Sequence, residues 1–296
     1  MTFRSTHSAA ADTAVVFLSH RTAPAVRNRF STLVADTPSS HDVYFLYDAT
    51  NATAEDERTV RDLAGDQLRT FVHADIVPDA YPNPWIDPTR KQLIPGNTDL
   101  LFLHFSQLEP GYACYWFIEY DVAYTGSWTT FFEAAGRSSA ALLGTTLYPY
   151  TRRPEWYWWP TFDPSIDLPR SEWLCGFFPI VRLSDELLGR LHEAYLAGWS
   201  GHVEAVLPTL ARYHDLPIED LGGDGPYVPP GHTNRFYTNS PERGRLSPGT
   251  FVYRPVRARP GRTVDMLWHP VKPNRSTLRA YARRFADWLA ARRPAP

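Results

Sequence analysis

The chain has 296 residues, of which 43% are hydrophobic, enough for one large α/β domain or two small ones. Thirty Lys and Arg residues nearly balance 32 Asp and Glu residues, and the net charge of −2 argues against a general nucleic-acid-binding protein. Cys114 and Cys175 lie in apolar runs without metal-site spacing, which predicts buried thiols and no disulfide framework. The polar start of the chain lacks the apolar core of a signal peptide, and no apolar run reaches transmembrane length, so we expect a cytoplasmic protein.

Strand and helix patterns alternate through the first half of the chain. Buried strands are predicted at 14–19, 42–47, 68–73, 114–118 and 140–145, and helices at 24–34, 54–64, 100–108 and 128–135. A Pro-rich loop spans 78–95. This alternation predicts an α/β fold with a mostly parallel central sheet flanked by helices on both faces.

The second half is less regular. An apolar run at 174–181 precedes helices at 185–197 and 201–213, and Gly, Pro and Asn dominate 222–249. Short strands are predicted at 250–253 and 264–268, and a last helix at 276–292. The exposed face of that helix is basic, which suits either peripheral contact with an anionic membrane or an ordinary solvated surface. Its basic residues are Arg279, Arg283, Arg284, Arg292 and Arg293.

Two carboxylates, Glu119 and Asp121, follow the apolar strand in the middle of the chain. Residues i and i+2 of an extended segment point to the same side, so both side chains should leave the strand end together. Two adjacent like charges are unfavourable without a positive group between them. A divalent cation with oxygen ligands, Mn²⁺ or Mg²⁺, would be such a group. The alternative is a strand end from which both carboxylates reach solvent.

An aromatic segment interrupted by prolines follows the predicted strand 140–145. It contains Trp156, Tyr157, Trp158 and Trp159. Long Pro-rich loops are usually functional or disordered, and the aromatic content argues against disorder. Flat amphipathic rings suit stacking on sugar faces or aromatic ligands. The alternative is a hydrophobic lid folded over the core.

Polar side chains at the predicted strand ends mark the edge of the sheet where ligands bind in open α/β folds. They are Ser19, His20, Arg21, Asp48, Glu119 and Asp121. The sequence contains no G-x-G-x-x-G after the first strand, no G-x-x-x-x-G-K-[ST] loop and no G-x-S-x-G elbow. A common dinucleotide, P-loop or hydrolase site is therefore not expected.

This arrangement resembles the GT-A family of nucleotide-sugar glycosyltransferases. Glu119-Tyr120-Asp121 resembles an E-x-D variant of the family's D-x-D motif, although the first acidic position is Glu where the motif has Asp. The segment 199–209 resembles the acidic helix start that carries the catalytic base in inverting members. The segment 266–272 resembles a late His-Pro-x-Lys segment.

The resemblance implies a single GT-A-like, Rossmann-type domain over 1–296. Its nucleotide-sugar-binding half would be 14–146, its irregular, aromatic-rich acceptor half 147–272, and its C-terminal helix 273–296. The implied reaction moves a sugar from a nucleotide-diphosphate donor, most commonly a UDP-sugar, to a hydroxyl group. The acceptor would be a small molecule, a saccharide or a lipid-linked sugar, and inversion at the sugar carbon is expected.

The resemblance also implies roles for individual residues. Glu204 would be the general base beside His202, with Asp220 and Asp224 as the other candidates. An acidic residue at a helix N-terminus is, alternatively, favoured by the helix dipole alone. Metal ligands would be Asp121, Glu119 and His269, and Lys272 would contact phosphate. The alternative for His269 is a structural histidine. The alternative for Lys272 is a solvated loop lysine.

The remaining assignments concern the donor and acceptor pockets. Residues expected to contact the donor's base and ribose are Ser19, His20, Arg21, Asp48 and Glu119. Asp48 is alternatively a cap of the turn that follows it, and Asn97 either faces donor or acceptor or caps a helix. Residues expected to contact the acceptor are Trp156, Tyr157, Trp158 and Trp159. Two other functions remain open: a scaffold reused for another reaction on an aromatic or natural-product substrate, and a carbohydrate-binding protein without turnover.

Overall fold

A computed structural model describes residues 11–83, 85–87, 89–239 and 249–272. A seven-stranded sheet forms its centre, with strand order β7-β5-β6-β4-β1-β2-β3. All neighbouring strands are parallel except β6, which runs antiparallel to both β4 and β5. The strands are β1 (Thr13–Ser19), β2 (His41–Asp48), β3 (Leu68–Phe71), β4 (Cys114–Glu119), β5 (Leu142–Gly144), β6 (Ile180–Ser184) and β7 (Ile218–Asp220). The predicted fold class is confirmed.

Six α-helices flank or connect these strands within the described residues. They are α1 (Pro24–Asp36), α2 (Ala54–Ala64), α3 (Asp99–Leu108), α4 (Trp128–Ala135), α5 (Asp185–Leu196) and α6 (Val203–Tyr213). Local chemistry sets several of the N-termini. Thr53 and Asp56 form a reciprocal capping box at α2, and the Ser184 side chain caps α5. None of the described helices has the length and apolarity needed to cross a membrane.

The central strands are buried on both faces because side chains alternate along them. Val16, Leu18 and Phe117 belong to one core cluster, and Phe17 and Trp116 to a second one. Helices α3, α5 and α6 supply the first cluster, whereas α1, α2 and α4 supply the second. A strand covered on both faces reads as a continuous apolar run, which explains why β1, β2 and β4 were predictable.

Several sequence-based boundaries were wrong, most of them where pairing is short. The run 174–181 divides into a two-residue strand, Leu174–Cys175, and β6. Strand β7 was not predicted, because three residues carry too little periodicity to be recognised. The segment 250–253 pairs only through an isolated bridge between Phe251 and His269. Cys114 was expected to be buried, but it is only half-buried.

The end of the described chain returns to the sheet edge beside β4. Leu267–Trp268 pairs antiparallel with Ala123–Tyr124. The Val271 N–H then donates to the carbonyl oxygen of Asp121 at 2.8 Å. These bonds hold the His-Pro-x-Lys segment against the turn that follows β4. The predicted helix 276–292 and its arginines lie outside the described residues.

Candidate active site

The two carboxylates after β4 converge with His269. One ligand atom from each of Glu119, Asp121 and His269 lies within 4.8 Å of the other two. The convergence was expected, but its predicted cause was wrong. Strand β4 ends at Glu119, and the Val122 N–H donates to the Glu119 carbonyl at 3.0 Å, so a turn, not an extended segment, brings the side chains together.

The hydrogen bond at one nitrogen of His269 defines what the other nitrogen can do. Its Nδ1 lies 3.1 Å from the carbonyl oxygen of Val252, and a carbonyl only accepts, so Nδ1 carries the proton. In the neutral ring Nε2 then presents a lone pair. That atom lies 3.5 Å from Asp121 Oδ1 and 3.9 Å from Glu119 Oε2.

Asp121 is the most enclosed member of this cluster, with 2% of its side chain exposed. Its Oδ1 has no hydrogen-bond partner among the described residues, whereas Oδ2 lies 3.0 Å from Lys272 Nζ. Burial raises the pKa of Asp121, but His269 in its protonated form and the Lys272 ammonium outweigh burial and lower that pKa. Partial burial, reinforced by the Asp121 charge, raises the pKa of Glu119.

This donor set fits a divalent cation. Two carboxylates and an imidazole nitrogen converge, and a buried carboxylate oxygen has no partner within the described part of the chain. Oxygen ligands suit Mg²⁺ and Mn²⁺, and an added imidazole suits Mn²⁺ among these two. The Nδ1–H to carbonyl bond is the outer contact that typically orients a metal-binding histidine.

Lys272 lies at the same place with a second, aromatic contact. Its ammonium sits 5.5 Å from the centroid of the Tyr120 ring, and its side chain is partly exposed. Burial lowers the pKa of Lys272, but the Asp121 charge outweighs this and raises it overall. The lysine therefore stays charged at the mouth of the acid cluster.

A cavity of about 870 Å³, called the main cavity here, connects the acid cluster to the acceptor half. Candidate residues from the sequence that line it are Glu119, Asp121, Trp156, Tyr157, Trp158, Glu204, His269 and Lys272. The structure thus brings together residues separated by as much as 153 positions, the distance from Glu119 to Lys272 along the chain. The volume of the main cavity lies in the range of ligand-binding clefts.

Glu204 lies at the start of α6 and faces the main cavity. Its side chain is 14% exposed, and burial raises its pKa to about 8. The Glu204 N–H donates to Nδ1 of His202, which caps the helix, at 3.3 Å. Burial lowers the pKa of His202 to about 4, so this histidine is neutral at neutral pH. A carboxyl group with a raised pKa in a cleft is suited to proton transfer.

The two other candidates for the base have structural roles. Asp220 is buried and accepts hydrogen bonds from the Tyr237 hydroxyl and from the N–H groups of Leu147 and Gly222. Asp224 accepts a hydrogen bond from the Tyr148 hydroxyl. Neither lines the main cavity.

The aromatic segment divides between the cavity and the core. Trp156, Tyr157 and Trp158 line the main cavity, and Trp158 stacks on His202 with ring centroids 4.7 Å apart. Trp159, by contrast, is 6% exposed, and its indole N–H donates to the Arg153 carbonyl. The predicted acceptor contact of Trp159 is therefore corrected to a core role, because its ring anchors the loop that carries the other three.

The residues at the ends of β1 and β2 lie on the same sheet edge, beside the acid cluster. His20 packs edge-on against Tyr120, and Arg21 lies over that ring at 5.8 Å. The Ser19 hydroxyl closes a turn by donating to the Arg21 carbonyl. Asp48 accepts from the Thr50 N–H and pairs with His73, so its turn-capping role is present.

Asn97, predicted to face the donor or the acceptor, does not line the main cavity. It is 7% exposed and lines a smaller cavity beyond His202. The cap residue of α3 is Thr98, and no side chain makes a capping bond there, so the capping alternative for Asn97 is wrong.

Two kinds of site residue were missed in the sequence. Tyr120, between the two acids, contacts His20, Arg21 and Lys272; its place inside the acidic motif was the available signal. Arg153 and Arg254 line the main cavity, and no local pattern distinguishes them from surface arginines.

Comparison with known proteins gives structural neighbours only. No family model and no curated protein matches the chain. A galactosyltransferase, LgtC, in complex with donor and acceptor sugar analogues is 10% identical, with a TM-score of 0.41 over 71% of this chain and 73% of that one. Core-mannan synthase A of Aspergillus fumigatus, in a Mn/GDP form, is 12% identical, with a TM-score of 0.37 over 73% and 74%.

A mannosyltransferase from S. cerevisiae is 13% identical, with a TM-score of 0.38 over 73% of this chain and 70% of that one. Two of these neighbours are sugar transferases by name, and the other is a mannan synthase. Likenesses with TM-scores of 0.37 to 0.41 carry no argument about this chain, so the functional proposal rests on the side chains of the main cavity.

Proposed function

We propose that this protein is a glycosyltransferase that moves a sugar from a nucleotide-diphosphate donor to a hydroxyl acceptor. The observation that carries the proposal is the content of one cavity. The cluster of Glu119, Asp121 and His269 lies at the sheet edge, and Glu204 with its raised pKa lies across the same cavity. A site for a charged leaving group and a site for a base therefore face one space.

The donor would bind at the sheet edge. A divalent cation held by Asp121, Glu119 and His269 would offset charge on the leaving diphosphate. Lys272 adds a positive charge within 3.0 Å of Asp121 Oδ2, where it can contact phosphate oxygens as a point charge. His20, Arg21 and Tyr120 form a polar and aromatic surface on which the nucleoside would lie. UDP is the expected nucleotide.

The acceptor would bind between Glu204 and the aromatic shelf of Trp156, Tyr157 and Trp158. The Glu204 carboxylate takes the proton of the acceptor hydroxyl while that oxygen attacks the anomeric carbon of the sugar. The bond from that carbon to the diphosphate oxygen breaks, and its electron pair stays on the diphosphate. A single displacement of this kind inverts the anomeric centre.

Thermal unfolding of the whole chain tests the proposal. The protein is heated with UDP, GDP, ADP and their sugar conjugates, with and without Mn²⁺ or Mg²⁺. A ligand at a hundredfold excess over its Kd stabilises the folded state by about 2.7 kcal/mol. We expect a metal-dependent shift with one nucleotide that disappears in Asp121→Ala. The absence of any nucleotide shift would overturn the proposal and favour a reused scaffold or a protein without turnover.

A further inference from the structure

A second, smaller cavity adjoins the main cavity on the acceptor side. It has a volume of about 240 Å³ and is called the side cavity here. Trp158 and His202 line both cavities, whereas Glu119, Asp121 and Lys272 line only the main one. The side cavity therefore lies beyond the candidate base as seen from the acid cluster.

The walls of the side cavity combine aromatic faces with buried polar groups. Trp85 is 3% exposed, and its indole N–H has no hydrogen-bond partner among the described residues. A buried donor without a partner is destabilising, so a group that accepts its hydrogen bond is expected at this place. Asn97, also buried, adds a carboxamide with both donor and acceptor atoms.

Two other polar side chains of this cavity are bonded within the protein. The Thr161 hydroxyl donates to the Trp158 carbonyl and accepts from the His202 N–H. The Asn83 amide donates to the carbonyl groups of Gly198 and Trp199. These bonds hold the wall in place, whereas the Trp85 N–H has no partner among the described residues.

We propose that the side cavity is a second acceptor subsite, which takes a further hydroxylated ring of a saccharide acceptor. The inference rests on the proposed function and narrows its acceptor class to sugars of at least two rings. A single water occupies about 30 Å³ of liquid, so the cavity far exceeds the space that one bridging water needs. An apolar group in this place would leave the Trp85 N–H unpaired, whereas sugar hydroxyls accept its bond and a sugar face stacks on Trp158.

Ligand-observed NMR titrations of the full chain, with UDP and Mn²⁺ present, test this inference. The probes are three pairs: glucose and maltose, galactose and lactose, mannose and mannobiose. We expect at least one disaccharide to bind about tenfold more tightly than its monosaccharide. Trp85→Phe keeps one aromatic ring but removes the five-membered ring with its N–H, and should reduce that advantage about threefold to tenfold. Asn97→Ala should reduce it similarly, with monosaccharide binding unchanged in both variants.

Trp173→Phe is the matched control, because its indole N–H donates to the Leu168 carbonyl outside both cavities. It should leave the disaccharide advantage intact. The inference is overturned if no pair shows an advantage, which would make the side cavity a water-filled void, or if Trp85→Phe and Asn97→Ala both retain it. Nucleotide binding in the same samples separates the two proposals, since its loss would count against the glycosyltransferase itself.

Discussion

His269 Nε2 lies 3.5 Å from Asp121 Oδ1, an oxygen without a hydrogen-bond partner among the described residues. Because His269 Nδ1–H donates a hydrogen bond to the Val252 carbonyl, Nε2 is the nitrogen that faces the carboxylate oxygen, and in the neutral ring it does so with a lone pair. Two electron-rich atoms at this separation favour a cation between them. The relationship links two residues 148 positions apart and, with Glu119, gives three side chains that could hold a metal ion.

The first prediction concerns that cation. Asp121→Asn removes the charge and keeps the shape, and should weaken Mn²⁺ binding about tenfold to a hundredfold, because the buried oxygens of Asp121 face the cluster. The loss of the free Mn²⁺ signal in electron paramagnetic resonance, followed during titration, measures this. Glu133→Gln, on the exposed side of α4, is the matched control. Equal Mn²⁺ affinity in Asp121→Asn and the wild type would refute the assignment.

A second prediction concerns the base. Glu204→Gln should lower turnover by a factor of about 10²–10⁴, the usual contribution of a general base, while nucleotide binding stays near normal. Release of nucleotide diphosphate from the donor measures turnover, and the nucleotide-dependent thermal shift measures binding. Asp224→Asn is the comparison, because Asp224 bonds to Tyr148 away from the main cavity. Wild-type turnover in Glu204→Gln would remove Glu204 from its proposed role.

The pH dependence follows from the same carboxyl group. Its pKa of about 8 means that the basic form appears only as the pH rises through that value. Turnover should therefore increase from pH 6 to about pH 9, with an apparent pKa near 8 in the profile of kcat/KM. A profile that is flat over this range would contradict the expectation.

Stability should change in the opposite direction with pH. The pKa of Glu204 is raised from 4.5 to about 8, so the folded protein binds this proton more tightly than the unfolded chain does. The free energy of unfolding consequently falls as the pH rises from 4.5 to 8. Glu204→Gln removes this penalty and should raise Tm by a few degrees at pH 8.5, with little effect at pH 4.5. Melting curves at both pH values provide the measurement, and an equal Tm difference at the two would count against the buried state of Glu204.

Gly96 provides a prediction about the wall behind His202. An added Cβ would lie 2.3 Å from Cδ2 of His202, and the φ angle of Gly96 is +99°. Gly96→Ala should destabilise the protein by about 1–3 kcal/mol through steric overlap and backbone strain. Gly189→Ala in α5 is the control, because nothing lies within 4 Å of its added Cβ, and it should stabilise by about 1 kcal/mol. Chemical denaturation of both variants would show whether the signs are opposite.

Much of the sheet was predictable because of where its strands lie. Strands β1, β2 and β4 are covered on both faces, and each contains an uninterrupted apolar run: 14–18, 43–47 and 114–118. Helices α2 and α4 match their predicted bounds, since a capping box and a capping serine mark their starts. Strand β7 was missed because its three residues pair only at the sheet edge beside β5.

What the sequence determined by itself was local: the apolar runs, the helix starts, and the acids placed after β4. Periodicity and capping act over a few residues, so neighbours along the chain suffice to predict them. The tertiary structure alone decided which distant side chains share a cavity. Glu204 and Asp121 line the same cavity, and Lys272 lies 3.0 Å from that aspartate. Trp159 is buried in the core, whereas Trp158 lines the main cavity. Burial also raised the pKa of Glu204, and burial is a property of the packed molecule, which no segment possesses on its own.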